Sequence, residues 1–472
     1  VRPILIRNGY VITGDPAIGD VPSGDVLIVN GRIAEIGQNL HHDEAEEIDA
    51  TGTIVMPGMV DTHRHTWQTQ LRAICADMSL MQYMRCIRFN ISPVYTPEDV
   101  YVGNYIGALE ALNAGITTLY DFSHTSHSPE HADEAIRGLR DARIAGLYAY
   151  GFYPAPVDRP YFTSVDQRIA DAERIRTQHF SSDDQRLGMA VAITEVGMYP
   201  FDSTRKEIMT GRRLGVQQTI HTNCFWGSAF CSGIEELAAA GLLGPDQVHV
   251  HCNSVTDNEL RLLADNGAKV SCTPDTELQM GMGHPLIGRA HDVGIKPTLG
   301  ADVISCNGGD LLTQARLGLQ DARVLANDPV NAQGRMPEDI PFKVRDAIAW
   351  MTINGAEAMG LDHRTGSLTP GKDGDIVLIA PNDFNLMPLN DMVGAVVLQA
   401  NVSNIDTVVL RGEVVKRHGR LTGVDFKQLL RMAEGSRERI MEQALRRGPL
   451  VPPPNTTAMA EMEETARQNL AA

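Results

Sequence analysis

Seven short apolar runs follow one another between residues 116 and 300, at 116–120, 145–150, 187–193, 216–221, 247–251, 268–272 and 296–300. Each is preceded by a stretch with helical patterning. A further run, Thr53-Ile-Val-Met-Pro-Gly-Met-Val60, makes eight. Strands that alternate with helices must lie parallel, because each needs a long crossover to return. Eight of them are what a closed (β/α)8 TIM-like barrel requires.

The chain ends read differently. Runs at 4–6, 9–12, 25–29 and 32–36 are short strands, with Asn30-Gly31 as a hairpin turn. The same texture returns at 374–379, 393–397, 407–410 and 412–415. The expected α/β architecture is therefore nested. A barrel over 57–365 is inserted in a small β domain built from 1–56 and 366–425. From 426 the pattern turns helical to 447, then proline-rich and polar, which predicts an exterior C-terminal extension over 426–472. No internal repeat or low-complexity tract interrupts this plan.

Strand ends are where such a barrel places its chemistry. Asp61-Thr62-His63-Arg64-His65 directly follows the first run, and alternation along a strand puts His63 and His65 on one face. His221 ends the fifth strand, His251 ends the sixth, and Asp302 follows the eighth in Thr298-Leu-Gly-Ala-Asp302. Three imidazoles (His63, His65, His221) and the Asp302 carboxylate suit one divalent metal ion per chain. Zinc is the first choice, with iron, cobalt or manganese as alternatives. Such a site lowers the pKa of bound water toward neutrality. His251, whose ordinary pKa lies near operating pH, is the expected proton shuttle, and Asp302 is placed to take the water's proton as well as to hold the metal.

Composition narrows the partners. The 472 residues carry a formal net charge of −18. That disfavours nucleic acid and an anionic membrane surface, and favours neutral or cationic small molecules. Seven cysteines, odd in number and scattered, form no disulfide framework. Val1-Arg-Pro-Ile-Leu-Ile-Arg7 lacks a long apolar stretch, and no segment reaches about 18 uninterrupted apolar residues. The expectation is a cytoplasmic enzyme with a small-molecule substrate.

These motifs resemble the amidohydrolase superfamily, in its cytosine-deaminase-like and triazine-hydrolase-like branch. The resemblance spans residues 1 to 425. It rests on Pro57-Gly-Met-Val-Asp-Thr-His-Arg-His65 with Gln68 and Leu71-Arg72, on Gly115-Ile-Thr-Thr118, on His251-Cys252 and on Leu299-Gly-Ala-Asp302. Thr352-Ile-Asn-Gly-Ala-Glu-Ala-Met-Gly360 and Gly366-Ser-Leu-Thr-Pro-Gly-Lys-Asp-Gly-Asp375 complete it. It implies that His63, His65, His221 and Asp302 hold one metal and that His251 handles protons. It also implies that the β domain of 1–56 and 366–425 is a composite β-sandwich, and that the protein forms a dimer or higher homo-oligomer.

The departures bear on the substrate. Deaminases of this branch carry a glutamate three residues after the strand-five histidine, where it protonates a ring nitrogen. Here that place is taken by Cys224, in His221-Thr222-Asn223-Cys224. A thiol of ordinary pKa is a poor acid for this step. An amide, urea or carbamate manages without it, so the first reading is hydrolysis of such a C–N bond. The Thr66-Trp67 variant and the missing glutamate resemble phenylurea or thiocarbamate (molinate-type) herbicide hydrolases. The alternative is an aminohydrolase or dechlorinase of a triazine, pyrimidine, purine or pterin, with Asn223 or a pocket water replacing the glutamate. A silent structural relative is the non-enzyme alternative, against which the intact set of five polar residues weighs. The strand-four end, Thr194-Glu195, offers no lysine for carbamylation, which favours one metal, although Glu195 is placed to bridge a second.

Loop residues just after the strands are the expected pocket lining. The substrate-binding candidates are Trp67, Gln68, Phe152, Asn223, Cys224 and Trp226, with Tyr153, Phe225, Met280 and Met282 beside them. His249 reads as packed and hydrogen-bonded. His124, His127 and His131 read as exposed or packed in a loop, and Cys252 and Cys272 as small buried apolar residues.

Overall fold

The structure is a computed structural model and describes residues 2–157 and 159–471. Eight strands, Met59–Arg64, Ile116–Phe122, Ala145–Gly151, Leu187–Ile193, Gln217–Thr222, Gln247–His251, Lys269–Cys272 and Pro297–Leu299, pair in sequence order and all in parallel. They form a nearly closed barrel. Its interior is filled by Val60, Tyr120, Phe122, Ala149, Ala190, Ala192 and Val248.

No ladder joins the first strand to the eighth. Closure instead runs through single bonds at the strand ends: Thr62 Oγ1 donates to Leu299 O (3.0 Å), Asp302 N to His63 O (2.9 Å) and His65 N to Asp302 O (2.9 Å). The seam of the barrel and the polar cluster are thus the same place.

A second, mixed sheet of nine strands draws on both chain ends. Its edge strand Arg32–Gly37 meets the loop before Ile376–Ile379, where Ile33 N donates to Lys372 O (2.8 Å). The sheet thereby folds over one apolar interior of Ile4, Ile6, Val26, Ile28, Ile33, Val55, Ile376 and Val409. Asn30 and Gly31 take left-handed backbone angles (φ 52° and 78°) in the hairpin that the sequence marked.

Three expectations need correction. The apolar run at 53–60 is two strands, not one. Ile54–Pro57 pairs with Ile376–Ile379 in the mixed sheet, and only Met59–Arg64 enters the barrel. Pro57 cannot donate to a ladder. At Gly58 an added Cβ would lie 2.1 Å from the Thr117 hydroxyl, so the chain crosses there without a side chain. The valine-rich run at 393–397 is a helix, Met392–Leu398, because Asp391 caps it at Gly394 N (2.9 Å) and Val393, Val396 and Val397 share its buried face. The tail ends in a second helix, Thr456–Ala471, pinned where Glu463 accepts from Ser228 Oγ (2.6 Å) and Ala229 N (2.9 Å) beyond strand five. The first exterior helix, Phe426–Arg446, is held by Ser436 Oγ donating to Asp99 (2.5 Å). Among the described residues no helix is long and apolar enough to cross a membrane.

Candidate functional site

His63, His65, His221, His251 and Asp302 are all buried and converge at the carboxyl end of the barrel. The first strand bulges between Asp61 and Arg64, so strict alternation does not place its two histidines. Instead Asp61 anchors the bend, accepting from His63 N (3.2 Å) and Ala301 N (3.1 Å). Phe122 lies beneath the cluster, with its ring 4.3 Å from that of His221. His251 (φ 72°) and Asp302 (φ 57°) hold left-handed backbone, an unfavourable conformation that surrounding structure must impose.

The donor atoms are spaced for a single ion. His63 Nε2 lies 3.2 Å from Asp302 Oδ1, His65 Nε2 lies 3.4 Å from the same oxygen, and His221 Nε2 lies 3.4 Å from His63 Nε2. A tetrahedral ion with ligand bonds of about 2.0–2.1 Å separates its donors by about 3.3–3.4 Å. The outer nitrogens fix the tautomers. His65 Nδ1 donates to Phe122 O (3.0 Å), and His221 Nδ1 faces Glu195 Oε1 (3.3 Å). The Nε2 lone pair of His221 therefore faces His63 Nε2 at 3.4 Å, and that of His65 faces the Asp302 carboxylate at 3.4 Å, contacts that a cation between the groups resolves. Burial and neighbouring imidazoles hold His65 and His221 well below the ordinary histidine range. Burial would raise Asp302, but the surrounding histidines outweigh it and hold the carboxyl far below the usual range.

His251 is set apart by its partner. Its Nδ1 donates to Glu277 Oε1 (3.2 Å), and Glu277 is fixed in turn by Thr273 N (2.9 Å). Burial pulls the His251 pKa down, yet the Glu277 contact and the Asp302 charge win, and the net direction is upward. Glu277 Oε2 has no partner among the described residues.

A cavity enclosing about 450 Å³, mouth included, opens over these groups. One wall is the strand ends with His124, Glu195 and Cys224; the other is Leu80, Tyr83, Met84, Arg88, Phe225, Met280 and Met282. Of the six substrate-binding candidates, only Cys224 lines it. Its Sγ lies 3.2 Å from Cys231 Sγ. Trp67 is buried edge-on against Tyr95, and Phe152 is buried against Tyr150. Gln68 stands behind Tyr83, and Asn223 turns away to Glu259 Oε1 (3.2 Å). Trp226 is 65% exposed, tied by Nε1 to Met282 O (2.7 Å). The loops turn these side chains into the packing behind the wall or out to its rim.

His124 is buried and packed in its loop, one of the two readings, but the packing is against the site itself: it stacks on the His65 ring at 4.3 Å, with both ring nitrogens unpartnered among the described residues. Standing two residues past strand two, it obeyed the same strand-end rule as the ligands. Glu277, five residues past strand seven, did so too. His127 is buried and bonded to Ser92 O (3.1 Å), and His131 is half-buried on Tyr95 O (3.0 Å). His249 is packed and bonded to Thr222 Oγ1 (2.8 Å).

Three comparisons bear on this site. The model of the Amidohydrolase family matches residues 54–415. The chain is 24% identical over 454 residues to a 5'-deoxyadenosine deaminase of Methanosarcina acetivorans, covering 93% of this chain and 99% of that protein. Its fold is similar to that of an adenosine deaminase from Xanthomonas campestris solved with bound zinc, at a TM-score of 0.81 and 21% identity, covering 93% and 98% of the two chains. It is likewise similar to an atrazine chlorohydrolase from Arthrobacter aurescens complexed with zinc, at a TM-score of 0.79 and 20% identity, covering 92% and 100%.

Proposed function

The chain belongs to the Amidohydrolase family and is an enzyme that hydrolyses carbon–nitrogen bonds, and from that premise we propose that it is a zinc-dependent aminohydrolase of a nitrogen heterocycle. The observation that carries this reading is the Glu195 carboxyl on the cavity wall, 3.3 Å from His221 Nδ1. Burial raises its pKa, with the Arg88 charge and the Tyr153 hydroxyl pulling the other way. It supplies the acid that the residue three places after His221 does not. The curated relative is a nucleoside deaminase, which supports the same reading over the amide, urea or carbamate one.

In this reading His63, His65, His221 and Asp302 hold one zinc ion. When bound there, the ion supplies Lewis-acid chemistry, making water acidic near neutral pH and steadying negative charge. Asp302 accepts the proton that the attacking water gives up. Glu195 delivers a proton to the ring nitrogen next to the carbon under attack, where charge would otherwise accumulate. His251, held by Glu277, passes a proton to the departing amine. Each of these groups is buried, so proton transfers run in a site of low polarity where they are strongest.

Cys224 is the observation that favours a second reading, acyl hydrolysis, in which no ring nitrogen needs a proton. One screen separates the two. Zinc-loaded protein is offered adenosine-type nucleosides, aminopyrimidines, pterins and aminotriazines, alongside N-aryl ureas, carbamates and amides. Ammonia release from a ring is expected, and Glu195→Gln is expected to slow it by about a hundredfold. Acyl cleavage with no ammonia from any ring, or a Glu195→Gln protein as fast as wild type on a ring, overturns the proposal.

A further inference from the structure

The loop wall of the cavity holds a charge that the chemistry above leaves unused. Arg88 is the one lysine or arginine among the described side chains lining the cavity, and it is only 9% exposed. Among the described residues its guanidinium has no hydrogen-bond or ion-pair partner; it meets the face of the Tyr153 ring, 5.1 Å from the centroid. Its charge reaches the Glu195 carboxyl, but while Glu195 carries the proton that it delivers to the ring it offers no counter-charge; a buried cation so placed is unfavourable, and the imbalance disappears when a ligand supplies the anion.

A second polar group lines the same cavity. Ser305 Oγ donates to Gln68 Oε1 (2.8 Å), and Gln68 Nε2 donates to Tyr83 Oη (2.7 Å). That relay fixes the amide and occupies a lone pair of the phenol, so the bond does not use the hydroxyl proton of Tyr83, a residue that lines the cavity. Tyr83 ends the short helix Leu80–Tyr83, and Arg88 lies on the wide turn Met84–Ile91 that continues it, where Ser92 N donates five residues back to Ile87 O. Such π-type turns recur at functional sites because they push side chains out of helical register.

We propose that Arg88 and Tyr83 form a receptor for a carboxylate carried by the substrate, so that the enzyme acts on a small acidic heterocycle. The inference rests on the aminohydrolase reading for where the ring sits. A carboxylate accepts a guanidinium fork and a hydroxyl together. One guanidinium balances the single charge of a carboxylate and leaves a buried phosphate dianion half uncompensated. The net charge of −18 does not oppose this, because charges spread over the exterior are screened within about 10 Å while the guanidinium meets its ligand at contact.

The test is calorimetric binding to the zinc-loaded protein, with 6-aminonicotinate and its neutral amide, 6-aminonicotinamide, as matched probes. Wild type is expected to bind the acid at least about tenfold more tightly than the amide. Arg88→Met should bring that ratio to about one at unchanged zinc content, and Arg88→Lys should keep part of it. Tyr83→Phe should lower it a few-fold. Should Arg88→Met fail to fold, the lysine and phenylalanine variants carry the test. No preference in wild type, a preference that survives Arg88→Met, or tighter binding of inorganic phosphate than of the acid overturns the proposal. Arg88-dependent binding of the acid supports the receptor even where no ring releases ammonia, an outcome that removes the aminohydrolase reading alone.

Discussion

The two walls of the cavity are built on different principles. The strand-end wall is fixed by barrel register, and three of its histidines are oriented by a named partner: His65 by Phe122 O, His221 by Glu195 and the proton carrier His251 by Glu277. The loop wall draws on three separate loops, and its one cation, Arg88, sits on an irregular turn, Met84–Ile91, held from outside by the chain's C-terminal extension. There Arg85 Nε donates to Pro452 O (2.9 Å) and Asn90 Nδ2 to Pro449 O (3.3 Å). The first wall is suited to chemistry, which tolerates little misplacement. The second is suited to selection among substrates, which a barrel of this kind varies through its loops.

That division is broken most severely on the first wall. His65→Ala is expected to reduce bound zinc from about one per chain to a small fraction, and turnover by at least about a thousandfold. The far-ultraviolet circular dichroism should stay that of wild type. Metal analysis after strict chelation checks it, and full activity without metal would remove the strand-end wall from the chemistry altogether. His251→Asn comes next. With the four ligand candidates intact it should retain its zinc, yet turn over about a hundredfold more slowly, with the Michaelis constant little changed. A variant that loses its zinc would make His251 a ligand and not a proton carrier.

The same division governs what the sequence disclosed. Strand ends are readable because a parallel barrel repeats one rule eight times, and the rule located His63, His65, His221, His251 and Asp302 before any coordinates. Applied without exception, it also points to His124 and Glu277. It failed at 53–60, where one apolar run serves two sheets, and at 393–397, where valines at helical spacing imitate a strand. The loop wall was not readable. Arg88 stands sixteen positions past Arg72, the last residue of the nearest motif, on a turn held from outside by residues near 450. The aromatic residues adjoining the strands were the natural choice for a lining, but Trp67 and Phe152 are turned into the packing by contacts that no local pattern records.

The mildest test acts on the hold of the C-terminal extension over the loop wall. Each hydrogen bond from Arg85 and Asn90 to the 449–452 backbone is worth about 0.5–1.5 kcal/mol net, and Cys86, Ile87 and Ile91 keep the turn buried without them. The double variant Arg85→Ala, Asn90→Ala should therefore leave the barrel and its zinc untouched while loosening only the turn that carries Arg88. Hydrogen exchange should quicken across 84–91 and stay slow in the barrel strands. If the loop wall selects and the strand-end wall reacts, the Michaelis constant for an acidic substrate rises about threefold and kcat does not change. A fall in kcat of the same size would mean that the turn reaches the reacting atoms, and that the two walls act as one.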